Sequence, residues 1–213
     1  MLMSKYEELH KLKDKMEKDE DLPLKKVATK LVFGTGNTEA KILCIGEGPG
    51  HNEDLQGIPF VGQAGKLLDK LFPLAGLTRR EVFITNIVHH RPPENRDPEP
   101  SEIEAYGKYL DKIIKIIGPK VIVTLGRYSM AKFLPNVFIS GVHGKKFDVK
   151  WEGKNIIVIP MYHPAASLRN GNVLAAEKED FLHLKEILSK IDKEAPKSAK
   201  SKEELAAEEV GLI

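Results

Sequence analysis

The chain has 213 residues, 41% of them hydrophobic and 30% charged. That is enough for one sizeable core, while the single cysteine, Cys44, excludes a disulfide framework or a cysteine-ligated metal site. Mean hydropathy is -0.29, no apolar run approaches the ~18 residues of a membrane span, and a net charge of +2 with a pI near 8.4 argues only faintly for nucleic acid.

The N-terminus, MLMSKYEELHKLKDK, is charged where the apolar segment of a signal peptide would stand, which predicts an intracellular protein. Tyr6, Leu9, Leu12 and Met16 recur at helical spacing, so Ser4 to about Asp19 reads as an amphipathic helix. Asp21 to Asn37 reads as irregular, with a turn at Gly34–Asn37. Lys41–Ile45 is a short buried strand that runs into a glycine-rich turn, and Gln63–Ala75 follows as a helix with Leu67, Leu68, Leu71 and Phe72 on one face. Val82–Val88 is a second strand. The four prolines between His89 and Pro100 force a loop. Ser101 with Glu104 reads as a capping box opening a helix to about Ile117. Lys120–Leu125 is a third strand, Arg127–Leu134 a short helix, and Phe147–Trp151 with Asn155–Ile159 a hairpin. Glu177 to about Ile191 is the last helix.

Strands alternating with helices predict a three-layer α/β/α sandwich around a central, mainly parallel four-stranded sheet. Residues 1–191 are expected to form one domain, and the Lys-, Glu-, Ala- and Ser-rich stretch 192–213 a mobile tail.

Ligands of open parallel sheets bind at the carboxyl ends of the strands. Three unusual clusters are expected there: GEGPGHNEDLQGIPFVGQAG (Gly46–Gly65), Asn86 with the HHRPPENRDP loop, and MYHPAASLRN (Met161–Asn170). The first resembles a dinucleotide phosphate loop only at its start. The third glycine of that pattern is missing, Pro49 removes an amide donor, Glu47 would oppose a pyrophosphate, and the next strand ends in Asn86, not an acid. Phe60 is either a core plug or a platform for a planar base. Asn86 either caps a turn or offers a paired donor and acceptor to an N–H/C=O edge such as that of uracil. His163, held extended by Pro164, is either a structural hydrogen bonder or a donor to a developing oxyanion. Arg91, Arg96 and Arg169 are candidates for phosphate contact.

Taken in this order, the motifs resemble the uracil-DNA glycosylase superfamily, most closely its family 4 type, over about Leu22–Asn170. GEGPG with Glu53-Asp54 and then Gly57–Gly65 is similar to the family's first motif, Thr85–Val88 with Arg91–Arg96 to its second, and His163–Asn170 to its histidine and DNA-insertion loop. The resemblance implies an enzyme that flips deoxyuridine out of DNA and hydrolyses the N-glycosidic bond. It implies that Phe60 stacks on the base, Asn86 reads O4 and N3, and Glu53 excludes the thymine methyl. Amides near Gly48 and the His163 side chain would stabilise the uracil anion, and Glu47 would position water or favour the cationic sugar. Ala165, Leu168 and Arg169 would enter the duplex, with Arg91 and Arg96 near it.

Family 4 enzymes usually hold a four-cysteine iron–sulfur cluster, and the matching positions here are Asp19, Leu22, His90 and Tyr106. Leu22 offers no ligand atom, so no cluster and no other cofactor or metal is expected, with packing in its place. The place matching a covalent-trapping histidine of some relatives falls near Asn95, which predicts turnover without a stable adduct. The expected partner is uracil-containing DNA, with no membrane, and the expected state is a monomer. The alternatives are a glycosylase for hypoxanthine or another deaminated base, and a DNA-binding relative without activity.

Overall fold

The computed structural model describes residues 3–194. A six-stranded sheet is built from β1 (Thr35–Gly36), β2 (Ile42–Gly46), β3 (Val82–Asn86), β4 (Val121–Leu125), β5 (Phe147–Trp151) and β6 (Lys154–Met161), in the order β1-β3-β2-β4-β6-β5. The middle four strands run parallel, and β1 and β5 add antiparallel edges. The sheet is therefore wider than the four strands expected. β1 is only two residues long and owes its existence to pairing with Phe83 and Ile84, a tertiary partner that local patterning does not reveal.

The helices are α1 (Lys5–Glu17), α2 (His51–Gln56), α3 (Gln63–Leu71), α4 (Pro100–Ile117), α5 (Arg127–Ala131), α6 (Ile139–Val142), α7 (Pro164–Ser167) and α8 (Gly171–Glu194). Along β2, Leu43 and Ile45 join the buried cluster of α1 and α4, while Ile42 and Cys44 join that of α3 and α8. Period-2 alternation thus feeds two cores, one on each face of the sheet. Cys44 lies inside the second core, where burial pushes its thiol up to about 12.

Several helix ends differ from expectation. The capping box of α4 is Glu99 with Glu102, not Ser101 with Glu104, because Pro100 already occupies the first helical position, where its missing N–H costs nothing. α8 begins at Gly171, six residues before the predicted Glu177, on a turn where the Asn170 side chain accepts from the Asn172 amide. It also runs through residues 192–194, and the remainder of the predicted tail, 195–213, lies outside the described residues. Among the described residues, no helix is long and apolar enough to cross a membrane.

Candidate active site

Because β2, β3, β4 and β6 are parallel, Gly46, Asn86, Leu125 and Met161 end on one edge of the sheet. A cleft of about 580 Å³ opens there. Glu47, Gly48, Glu53, Phe60, Asn86, Arg96, His163, Ala165 and Arg169 all line it. Two candidates do not. The Arg91 guanidinium points toward Asn95 Oδ1 (2.8 Å) and His51 Nδ1 (3.2 Å), and Leu168 is 52% exposed beyond the rim.

Phe60 and Asn86 meet over Gly46. A Cβ at Gly46 would stand 2.4 Å from Asn86 Oδ1 and 2.6 Å from the Phe60 ring, so only glycine lets both side chains close on this point. Phe60 itself has φ +54°, a left-handed conformation that costs on the order of 1–3 kcal/mol in a non-glycine residue. Its carbonyl accepts from Arg79 Nη1 at 2.9 Å, and Arg79 Nη2 donates to the Pro59 carbonyl, so one half-buried guanidinium fixes the loop. A Cβ at Gly65 would fall 1.8 Å from the Phe60 carbonyl oxygen, which makes that glycine part of the same clamp.

Glu53 works on the same loop. Its Oε1 accepts from the Val61 and Gly62 amides at 2.9 and 2.7 Å, joining α2 to the backbone just beyond Phe60. Asn86 is 1% exposed, and its Oδ1 has no hydrogen-bond partner. A buried acceptor left unpaired costs roughly 1–3 kcal/mol, and a donor from a ligand in the cleft would remove that cost.

His163 lies two residues beyond β6, at the N-cap of α7, with φ -76° and ψ 130°, the extended form that Pro164 demands. Its Nδ1 accepts from the Ala165 amide at 3.1 Å. Burial lowers its pKa to about 4, so the ring is neutral near pH 7, and with Nδ1 an acceptor the proton must sit on Nε2. The ring lies 5.6 Å from that of Phe60, and Gly126 packs so closely that a Cβ there would be 3.1 Å from His163 Cβ. Glu47 lies in the same cleft, its pKa raised by burial and by the Asp97 carboxylate and lowered in part by Arg127.

The arginines differ among themselves. Arg96 is forked onto the buried Glu102 through two bonds of 2.9 and 2.6 Å, which raises its already high pKa and makes it a staple of the proline-rich loop. Arg169 is exposed at the rim. Arg127, ion-paired with Asp97, together with Gly126 and Ile139, lines the cleft without having been singled out by sequence. The signal was available: Gly126-Arg127 follows β4 on the same sheet edge that drew attention to the other three loops.

The four positions matched to cluster ligands also lie together, at the base of the proline-rich loop. Asp19 accepts from the Tyr109 hydroxyl at 2.7 Å and pairs with Lys108 at 2.8 Å, which hold its carboxyl down to about 2. His90 Nδ1 is 2.8 Å from the Tyr106 hydroxyl, and burial lowers the His90 pKa to about 4. Leu22, Leu24 and Tyr106 share one apolar cluster. Clusters of this kind are held by thiolates; these side chains supply none, and Leu22 offers no ligand atom at all, so the residues present do not fit the group. Among the described residues, no three His, Cys, Asp or Glu side chains gather as a metal-ligand set.

Residues 33–189 match the family model for the uracil DNA glycosylase superfamily. The chain is 45% identical over 185 residues to the Type-4 uracil-DNA glycosylase of Sulfurisphaera tokodaii, covering 84% of each chain. It is 45% identical over 173 residues to the Type-4 uracil-DNA glycosylase of Archaeoglobus fulgidus, covering 78% of this chain and 86% of that one. It is likewise 45% identical over 150 residues to that of Thermotoga maritima, covering 70% and 77%.

Proposed function

The chain belongs to the uracil DNA glycosylase superfamily, and on that footing we propose that it removes uracil from DNA through the cleft at the carboxyl edge of the sheet. It is a uracil-DNA glycosylase of DNA repair, leaving an abasic site. One observation carries the assignment of the site: the unpartnered, buried Oδ1 of Asn86 beside the Phe60 ring and the His163 imidazole.

The glycosidic bond is out of reach inside a duplex, so the nucleotide enters flipped. The ring of Phe60 supports one face of the base. Asn86 Oδ1 accepts from uracil N3–H and Nδ2 donates to O4. Cytosine presents the reverse polarity at both atoms, an acceptor at N3 and a donor at N4, and would leave the amide unsatisfied. Glu53 stays in the role of excluding a 5-methyl group, and its two amide bonds give it a second task, fixing the Phe60 loop.

As the C1′–N1 bond breaks, its electron pair moves into the uracil ring. Nε2–H of a neutral His163 donates to the charge gathering on O2, and backbone amides near Gly48 add to it. A neutral donor suits this step, since it stabilises the anion without handing over its proton. Glu47 faces the sugar, where its carboxylate favours the cationic C1′ and orients the attacking water. Arg91, Arg169, Ala165 and Leu168 belong to the DNA face, and Arg96 acts on that face by shaping its loop. One chain builds the whole cleft, which supports a monomeric enzyme.

We further propose that no iron–sulfur cluster is present and that Leu22, His90 and Tyr106 hold the proline-rich loop by packing and hydrogen bonding. Iron analysis and visible absorbance of the purified protein test this, and stoichiometric iron overturns it. The function is tested by incubating labelled oligonucleotides that hold uracil, hypoxanthine or thymine, followed by alkali. Strand breaks at uracil alone are expected. Breaks mainly at hypoxanthine would reassign the base, and none at all would leave a DNA-binding relative.

A further inference from the structure

The insertion loop His163–Asn170 carries Leu168 and Arg169 into solvent, yet Ser167 between them and the cleft is buried. Its hydroxyl donates to Glu177 Oε2 on α8. Glu177 is fully buried, and its second oxygen, Oε1, has no partner. One turn further along the same helix, Asp180 holds His143 of the α6 end at 2.8 Å, and the His143 ring packs 4.5 Å from Tyr162 in the cleft wall. Two carboxyl groups on one helix therefore hold the insertion loop directly, through Ser167, and the chain just before it, through His143 and Tyr162. Neither takes part in the chemistry described above.

We propose that Glu177 is a positioning residue for the insertion loop: by holding Ser167 it sets where Leu168 and Arg169 stand when a base leaves the duplex. The proposal rests on the uracil-glycosylase reading of the cleft and deepens it. α7 is a single turn of four residues with no core of its own, so its place must be imposed from outside. Asn170 ties the end of the loop to the first turn of α8, and the Ser167 bond ties α7 itself to the body of that helix. A carboxyl group is a costly choice for a fully buried position unless the bond it makes is needed there.

The protonation of Glu177 then matters to the loop. Burial raises its pKa to about 7, against the lowering by Ser167. The charged and titratable groups that act on it and its neighbour are Glu179, Asp180 and His183 on α8 and His143 beyond α6; Asp180 raises it. Since the folded pKa lies above the ordinary carboxylate value, the neutral form is favoured by folding, and that contribution is lost as pH rises through about 7. Above that pH Glu177 is an anion, to which the Ser167 hydroxyl donates more strongly, so the tie to the loop tightens as pH rises through about 7.

The test is equilibrium binding of a uracil oligonucleotide with a non-hydrolysable 2′-fluoro sugar, single-stranded and duplex, to wild type and to Glu177→Gln, Glu177→Leu and Ser167→Ala. Wild-type formation of abasic sites on ordinary uracil DNA is the control; its failure sinks the functional reading and not merely this inference. Glu177→Leu is expected to weaken duplex binding about ten-fold while single-strand binding stays within two-fold. Ser167→Ala, which removes the bond from the loop side, should match it. Glu177→Gln, a neutral acceptor for Ser167, is expected to match wild-type binding at pH 6 and to lack the rise in duplex over single-strand affinity that the wild type shows between pH 6 and 8.5. Equal losses on both DNA forms, no loss in either Leu or Ala variant, or an unchanged pH profile in the Gln variant would overturn the proposal; should Glu177→Leu fail to fold, Ser167→Ala and Glu177→Gln decide alone.

Discussion

The proline-rich loop has the cleft on one side and the Tyr106 corner at its base, and the two regions treat their polar groups differently. In the corner, Asp19 is bonded to Tyr109 and Lys108, His90 to Tyr106, and Leu22 is packed beside them. In the cleft, Asn86 Oδ1 is unpaired, Phe60 is held at φ +54°, and Glu47 carries a carboxyl raised by burial. The corner gains stability by satisfying its groups within the protein. The cleft forgoes stability, and groups kept waiting in that way point to a ligand that completes them. Substitutions in the two places should therefore fail in different ways, the cleft in rate and the corner in folding.

The largest effect is expected at His163. His163→Ala removes the Nε2–H donor and should lower the single-turnover rate about 10²–10³-fold. DNA affinity should change by less than three-fold, as read by titration with the uncleaved analogue. Equal losses in rate and affinity would make His163 a binding group and blur the contrast. Asn86→Asp comes next. The carboxylate keeps an acceptor for N3–H and loses the donor to O4, so uracil release should slow about 10–100-fold. Discrimination against cytosine should weaken with it, because cytosine N4–H can donate to a carboxylate. Competition between uracil- and cytosine-containing oligonucleotides measures both.

Tyr106→Phe should do the opposite of these. Loss of the hydroxyl leaves His90 Nδ1 unsatisfied and should cost about 1 kcal/mol of stability, a few degrees in Tm, with the rate on uracil DNA unchanged. The pH dependence sharpens this. His90 is lowered from 6.5 to about 4, chiefly by burial, so the unfolded chain binds its proton first. Its contribution to stability is complete above about 6.5 and is lost as pH falls toward 4. His90→Phe should flatten the thermal stability profile over that window; a profile as steep as that of the wild type would assign the acid sensitivity to His89 and His163, which burial lowers likewise.

Sequence made the inner strands legible because each is an unbroken apolar run, and the three loops beyond them because their glycines, prolines and polar residues are out of place in a core. Short elements were not legible. α2 and α6 have six and four residues, less than the two turns over which a helical period can repeat. Two-residue β1 depends on Phe83 and Ile84, far away in the chain. The Arg96–Glu102 fork escaped notice for a related reason: an arginine in a proline-rich loop looks like a phosphate contact until the first turn of α4 is seen to bury its partner. The resemblance of the motifs reached the chemistry, and only the fold could say which side chains were already occupied.

Arg127 gives the smallest predicted effect and joins the two kinds of behaviour. Its side chain is 62% exposed, lines the cleft, and is paired with Asp97, so it is both satisfied and within reach of a DNA backbone. If a phosphate displaces Asp97, Arg127→Ala should weaken binding only a few-fold and reduce the slope of log affinity against log salt by about one. The same substitution removes a cation that lowers the Glu47 pKa and frees the Asp97 carboxylate that raises it. In the proposed mechanism Glu47 acts as the anion, so the rate should rise with pH through its pKa, and the acid limb of the single-turnover profile should move to higher pH in the variant. A changed salt slope with an unmoved limb would separate phosphate binding from the tuning of Glu47. An unmoved slope with a shifted limb would place Arg127 wholly inside the catalytic cleft.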